Sequence, residues 1–151
     1  MIGLLQRVTR ASVRVEDQTV AAIGRGLLVL VGVEREDTAV DSERLLERLL
    51  GYRVFADAGG RMNASLRQVG GGLLLVPQFT LAADTASGTR ASFTPAADPA
   101  HARGLFEHLA VLARHAWPQV GCGVFGAQMQ VQLINDGPVT FWLTARAVGR
   151  P

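Results

Sequence analysis

Asn135-Asp136-Gly137-Pro138-Val139-Thr140 stands between two stretches of period-two alternation near the end of the chain. Before it, Met129, Val131 and Leu133 alternate with Gln128, Gln130 and Gln132. After it, Val139, Phe141, Leu143 and Ala145 alternate with Thr140, Trp142, Thr144 and Arg146. Such alternation puts apolar side chains on one face of a strand and polar ones on the other. The stretch therefore reads as a tight connection between two half-buried strands. Asn, Asp and Gly are turn formers, and Pro fixes its own φ and lacks an N–H donor. The residue before Pro is ordinarily pushed to extended geometry, a limit that Gly137 relaxes because it has no Cβ. Two readings are open. One is an ordinary hairpin turn, which local sequence favours because only about one X–Pro bond in twenty is cis in folded proteins. The other is a rigid Gly-Pro unit that displays two carbonyls in an unusual direction.

Working outward, the remaining chain supplies more strands and two main helices. Ala11, Val13 and Val15 alternate with polar residues, Asp17-Gln18 turns, and Val20–Ile23 returns. Gly24-Arg25-Gly26 is a second turn, and Leu27–Val33 is a continuous apolar run, the mark of a strand buried on both faces. The first thirty-odd residues thus read as an antiparallel meander. Thr38 with Asp41 forms a capping box for a helix whose apolar stripe is Val40, Leu45, Leu46, Leu49 and Leu50, with Gly51 at its exit. Tyr52–Ala56 reads as a short strand, and Leu73–Val76 as a buried one. Residues 82–97 form a loop longer than a structureless connection usually is. Asp98-Pro99 starts a helix that runs to about His115 and stops at Trp117-Pro118. The expectation is an α/β protein forming one domain over residues 1–151, with mostly antiparallel sheets.

Composition narrows the class. The chain has 151 residues, with 48% hydrophobic and 19% charged, which is globular rather than disordered. All fifteen basic residues are Arg, a usage given no functional weight, and the net charge of +2 permits a nucleic-acid partner without arguing for one. An RNA surface would have to come from local clustering, for instance of Arg7, Arg10, Arg14 and Arg25. The single cysteine, Cys122, excludes an internal disulfide and suits a reducing cytoplasm. No signal peptide opens the chain, and no apolar run is long enough to span a bilayer.

Few residues form a constellation with evident chemistry. His101, His108 and His115 are seven apart on one helix, so about 10 Å separates neighbours and they cannot share a metal ion. Cys122 lies between two glycines, and a passive small residue is the preferred reading. The polar residues directly after the buried strand are more informative, because strand ends are where sites are often built. Thr80 is the best single candidate, as an orienting group or hydrogen-bond donor; no base is evident that would make it a nucleophile. Gln78 could donate through its amide, and backbone N–H groups around Phe79-Thr80 could form an oxyanion hole.

Taken in order, several segments resemble the D-aminoacyl-tRNA deacylases of the bacterial and eukaryotic type. They are Gln6-Arg7-Val8, Gln78-Phe79-Thr80-Leu81, Gly88 and Arg90 with Ser92-Phe93, Phe125-Gly126-Ala127 with Met129, and Asn135 to Thr140. The resemblance covers nearly the whole length. It implies a homodimer of compact, barrel-like subunits layered α/β/β. It also implies hydrolysis of the ester joining a D-amino acid to the 3′ end of tRNA, with no metal and no cofactor. In that family the Gly-Pro pair is cis and enters the partner subunit's site, where its carbonyls meet the substrate's α-amino group and leave no room for an L side chain. Gly137 and Pro138 take that role here, with Arg7 bracing them. Gln78, Phe79 and Thr80 match the catalytic pocket, where main-chain groups and the substrate's own ribose hydroxyl assist water attack. Phe125, Gly126, Ala127 and Met129 match the segment at the terminal adenosine.

Departures from the family pattern are specific. Pro77 stands where Ser is usual, which removes a hydroxyl and an N–H and excludes a Ser-dependent mechanism. Ser87 replaces a common Lys, Ala91 a common Pro, and Gln128 a common Asp. A pocket that rejects by clash rather than by side-chain readout would also admit glycine, so glycyl-tRNA mischarged on tRNA-Ala is an expected second substrate. Two rival readings remain: a relative with a trans Gly-Pro that acts on small L-amino acids on mischarged tRNA, and a non-catalytic nucleic-acid-binding module.

Overall fold

A computed structural model describes residues 1–147, and the last four residues of the expected 1–151 unit lie outside that range. Strand β1 (Ile2–Val15) is the spine. One of its edges is shared: β2 (Gln18–Ile23) pairs with Ala11–Val15, and β3 (Gly26–Gly32) pairs with Ile2–Val8, both antiparallel. Strand β8 (Gln130–Thr144) runs antiparallel along the other edge. The expected meander is therefore corrected. β3 does not pair with β2 but returns to the opposite half of β1, so the order is β2-β1-β3. The β1–β2 turn also shifts by one residue, with Glu16 and Asp17 at φ 47° and 64°, both in the left-handed region that two-residue hairpins demand.

The sheet continues from β3 by parallel pairing to β6 (Gly72–Pro77) and from β6 to β7 (Val120–Cys122). The apolar runs of β3 and β6 are buried on both faces, as their sequences require. Close backbone approach makes the sheet curl. A Cβ on Gly26 would lie 2.0 Å from the Gly72 carbonyl oxygen. One on Gly121 would lie 3.2 Å from Ala21 Cβ, so β2 folds over β6 and β7 into a nearly closed barrel.

Helices α1 (Ala39–Gly51) and α3 (Pro99–Ala116) pack on the outside of this sheet. The predicted caps are present: Thr38 N donates to Asp41 Oδ2 at 2.7 Å, and Asp98 Oδ1 accepts from Ala100 N and His101 N, each at 3.1 Å. Val40 is the exception in the apolar stripe. It is 47% exposed, because five residues from Leu45 is about 140° around the helix. The expected strand at Tyr52–Ala56 shrinks to β4 (Phe55–Ala56), which pairs with β5 (Met62–Ala64). A further helical turn, α2 (Leu66–Val69), opens with a Ser65–Gln68 capping box. Leu27, Val29, Leu73 and Leu75 face the helices with Leu45, Leu49 and Phe106. Leu28, Leu74 and Val76 face the barrel interior with Val8 and Val13. These two cores produce the α/β/β layering.

Candidate active site

The Asn135–Thr140 segment is not a hairpin turn. β8 is one strand, antiparallel to β1 on both sides of the segment. From Ile134 to Thr140 it advances six residues while β1 moves four, from Arg10 to Gln6, so β8 carries a net surplus of two: three extra residues between Asn135 and Thr140, less one extra on β1 between Val8 and Arg10. That surplus bulges out as a wedge with Gly137 and Pro138 exposed at its tip. The alternation continues past it unchanged: Val131 and Leu133 pack inward before, and Val139 and Leu143 after.

The wedge is fastened from both ends. Val139 N donates to Asn135 Oδ1 at 2.9 Å, and Asn135 Nδ2 donates to Val139 O at 3.0 Å and Arg7 O at 3.3 Å. Arg7 Nε donates to Asp136 O at 3.0 Å, and its Nη1 reaches Val54 O at 2.6 Å. Gly137 has φ +135°, and a Cβ there would lie 2.6 Å from Val139 Cγ2 and 3.2 Å from Arg7 Nη2. Only glycine fits that backbone and that space. The Gly137–Pro138 bond is cis.

The second group lies at the C-terminal end of β6. Gln78 N donates to Val31 O, and a 3₁₀ turn, Phe79–Ala82, follows. A Cβ on Gly32 would lie 2.9 Å from Leu81 Cβ, so the turn sits directly on β3. Gln78 Nε2 donates to Thr80 Oγ1 at 2.6 Å, which leaves the threonine hydroxyl proton free for another acceptor. The first N–H groups of a helical turn have no partner within it, so those of Phe79 and Thr80 point out of its N-terminal end. Phe79 is 44% exposed and stacks on Phe93, ring centres 4.8 Å apart and planes 23° apart. Phe93 belongs to the 83–97 loop, whose base closes through paired Asp84 and Ser92 backbone bonds.

The third group follows β7. Ala127 N donates to Val124 O across a turn holding Phe125 and Gly126, the latter at φ +78°. Met129 Sδ accepts from Val124 N at 3.3 Å. A Cβ on Gly123 would lie 2.9 Å from Met129 Sδ and 3.2 Å from Pro77 Cδ. The fold thus brings Phe125, Gly126, Ala127 and Met129 beside the strand end that carries Gln78, Phe79 and Thr80. The wedge's own bonds run to Arg7 on β1, and the hydrogen-bonded path of the sheet from β6 to β8 passes through β3 and β1. Arg7 belongs to the wedge.

Two of the three singled-out histidines have hydrogen-bond partners, whereas His108 Nε2 is buried without one among the described residues. His101 Nε2 is 2.8 Å from Asp37 O, and His115 Nδ1 is 2.9 Å from Val111 O. Burial pushes the Cys122 thiol above its usual range, against the opposing pull of the Arg114 charge, which suits a passive residue. Of the four arginines suggested for an RNA surface, Arg14 donates to Asp17 O, Arg25 lies over the Phe55 ring and Arg7 turns inward, while Arg10 is exposed.

Comparison with known proteins places the chain among relatives of one family. Residues 4–144 match the family model described as D-Tyr-tRNA(Tyr) deacylase. The chain is a member of that family. A D-aminoacyl-tRNA deacylase of Thioalkalivibrio sulfidiphilus is 64% identical over 143 residues, covering 95% of this chain and 96% of the relative. One from Alkalilimnicola ehrlichii is 62% identical, covering 97% of each. Among solved structures, a c-Myc DNA Unwinding Element Binding Protein is 37% identical with TM-score 0.92, covering 97% of this chain and 100% of that one. A probable eukaryotic D-amino acid tRNA deacylase superimposes with TM-score 0.82 at 18% identity, over 94% and 97% of the two chains, and shares the fold. Sequence reasoning within the family pattern did not include Val54, whose carbonyl anchors Arg7, or Phe93 as a stacking partner. No local signal marks a carbonyl as an anchor, whereas two aromatics flanking a long loop were a usable hint.

Proposed function

We propose that this deacylase-family protein hydrolyses the ester bond between a D-amino acid and the 3′ end of tRNA as a homodimer. In this reading the wedge of one subunit enters the partner's site. The observation that carries it is the wedge itself, a main-chain projection fastened from both ends and exposed at its tip. A projection so held is useful only to something outside its own subunit. Exposed Ile134 and Trp142 on the same strand offer apolar surface for the partner to cover.

The chemistry asks little of side chains. Water attacks the ester carbonyl carbon, assisted by the substrate's ribose hydroxyl, and the N–H groups of Phe79 and Thr80 receive the developing oxyanion. The ribose oxygen then leaves with a proton, giving free D-amino acid and tRNA. Gln78 holds Thr80 through its amide, so the hydroxyl is oriented rather than activated. Phe125, Gly126, Ala127 and Met129 hold the terminal adenosine. Gly137 and Pro138 present carbonyls to the α-amino group and occupy the space an L side chain would need, with Arg7 setting their position. Glycine has nothing to exclude, so glycyl-tRNA on tRNA-Ala is a second substrate.

Purified protein incubated with D-tyrosyl-, L-tyrosyl- and glycyl-tRNA tests this. Release of D-tyrosine and glycine but not L-tyrosine is expected; indifference to chirality would remove the wedge's role, and retention of glycine would remove the second substrate. The name of the 37%-identical DNA-element binding protein favours nucleic-acid binding as the other reading. Tight RNA or DNA binding with no hydrolysis of any ester would establish it instead.

A further inference from the structure

Helix α3 places one cation against the Phe125 turn. The Arg103 guanidinium carbon lies 4.8 Å from the centre of the Phe125 ring, and Nη2 is 3.5 Å from where a Cβ on Gly126 would stand. Phe125 in turn packs against Phe106, ring centres 6.5 Å apart, so the ring beneath the guanidinium is anchored in the core. A guanidinium over an aromatic face keeps its N–H donors free at its edge. The ion-pair partner is Glu107 Oε1 at 3.8 Å, with both side chains more than half exposed at 53% and 62%. An exposed pair at that distance is weak and readily exchanged. Long arginines on a helix surface ordinarily extend into solvent; this one is folded back over the turn and oriented by it.

We propose that Arg103 binds the phosphodiester that links the terminal nucleoside of the substrate RNA to the nucleotide before it. The inference rests on the reading that Phe125, Gly126, Ala127 and Met129 receive the terminal adenosine. A nucleoside on that turn carries its 5′ phosphate at its edge, where the guanidinium stands. Gly126 leaves no Cβ between the two. A phosphate accepts two parallel N–H bonds from a guanidinium, a geometry that Glu107 at 3.8 Å does not provide. The position is poised for an anion and weakly held by its neighbour.

The test compares D-tyrosyl-tRNA with 3′-O-D-tyrosyl-adenosine, which has no phosphate, for the full-length protein and for Arg103→Ala, Arg103→Lys and Glu107→Gln. Arg103→Ala should raise KM for the tRNA substrate by about tenfold with kcat nearly unchanged. The same variant should flatten the salt dependence of kcat/KM by about 0.7 in slope, one phosphate's worth on a single strand. It should leave the adenosine ester unaffected. Arg103→Lys should recover part of the loss, and Glu107→Gln should lower KM. Equal losses on both substrates would reduce Arg103 to a brace for Phe125, and an unchanged KM for the tRNA would overturn the proposal. A binding arm separates the two levels of inference. The wild type should prefer adenosine 5′-monophosphate to adenosine, and Arg103→Ala should lose that preference. If neither ester is cleaved the functional reading falls, while the nucleotide preference still decides Arg103: its absence in the wild type overturns the phosphate contact.

Discussion

The Asn135–Thr140 wedge and the 83–97 loop are both irregular stretches, and they are held in opposite ways. The wedge is bonded to residues more than a hundred positions away: Arg7 reaches Asp136, and Asn135 reaches back to Arg7. The loop is bonded mainly to itself, through Asp84 with Ser92, Asp84 Oδ1 with Ala86 N, and Ser92 with Thr94. Its links outward are Arg35 N to Pro95 O, Ala97 N to Val33 O and the Phe79–Phe93 stack. Discrimination by shape needs a main chain that does not yield, and long-range anchors to a sheet supply that stiffness.

Loss of the wedge's geometry should therefore have the largest effect. Gly137→Ala puts a Cβ 2.6 Å from Val139 Cγ2, and the wedge must shift. A displacement near 1 Å lowers turnover by roughly a hundredfold, read as kcat/KM on D-tyrosyl-tRNA; a variant within twofold of wild type would show that the wedge does not touch the substrate. Arg7→Ala comes next. It strips two backbone carbonyls of a charged donor and should destabilise the fold by about 3 kcal/mol in urea unfolding, with a drop in D-over-L preference that exceeds the drop in rate. Phe93→Ala probes the other region. Losing an aromatic pair lowers stability by about 1 kcal/mol and should slow turnover a few-fold, with Phe93→Leu intermediate. Thr80→Ala should cost less than about tenfold in kcat, the scale of one neutral hydrogen bond; abolition of turnover would assign the hydroxyl a direct chemical step. The smallest effect belongs to Cys122→Ala, with activity near wild type. Because burial raises the thiol pKa, Cys122 is protonated at neutral pH, and its alkylation should need more alkaline solution than free cysteine.

The sequence made some of this legible and hid the rest for identifiable reasons. Helix caps are local, so Thr38–Asp41 and Asp98-Pro99 could be read directly, and both are present. Ser65–Gln68 carried the same signature but was overlooked because only four helical residues follow it. Period-two alternation marked both halves of β8 but could not show whether the chain reversed between them, because an even surplus leaves the alternation in phase. The parallel pairing of β3 with β6, and the return of β3 to β1, depend on close contacts such as Gly26 with Gly72 that no window of sequence contains. The first half of β1 was missed for a related reason: Val8 and Leu5 face different cores, so no single alternation runs through them. At the site, the residues of each group could be named from the sequence, but the pairing of Phe79 with Phe93 and of Arg103 with Phe125 joins segments far apart in the chain.

The evenness of the β8 surplus has a consequence for how such a projection can arise and be lost. Removing one residue from the segment would turn every later side chain of the strand inside out, sending Leu143 to solvent and Trp142 to the core. Removing two would let the ladder zip shut with both flanks facing as before. A protein shortened by Gly137 and Pro138 together should fold with its barrel intact and its wedge gone.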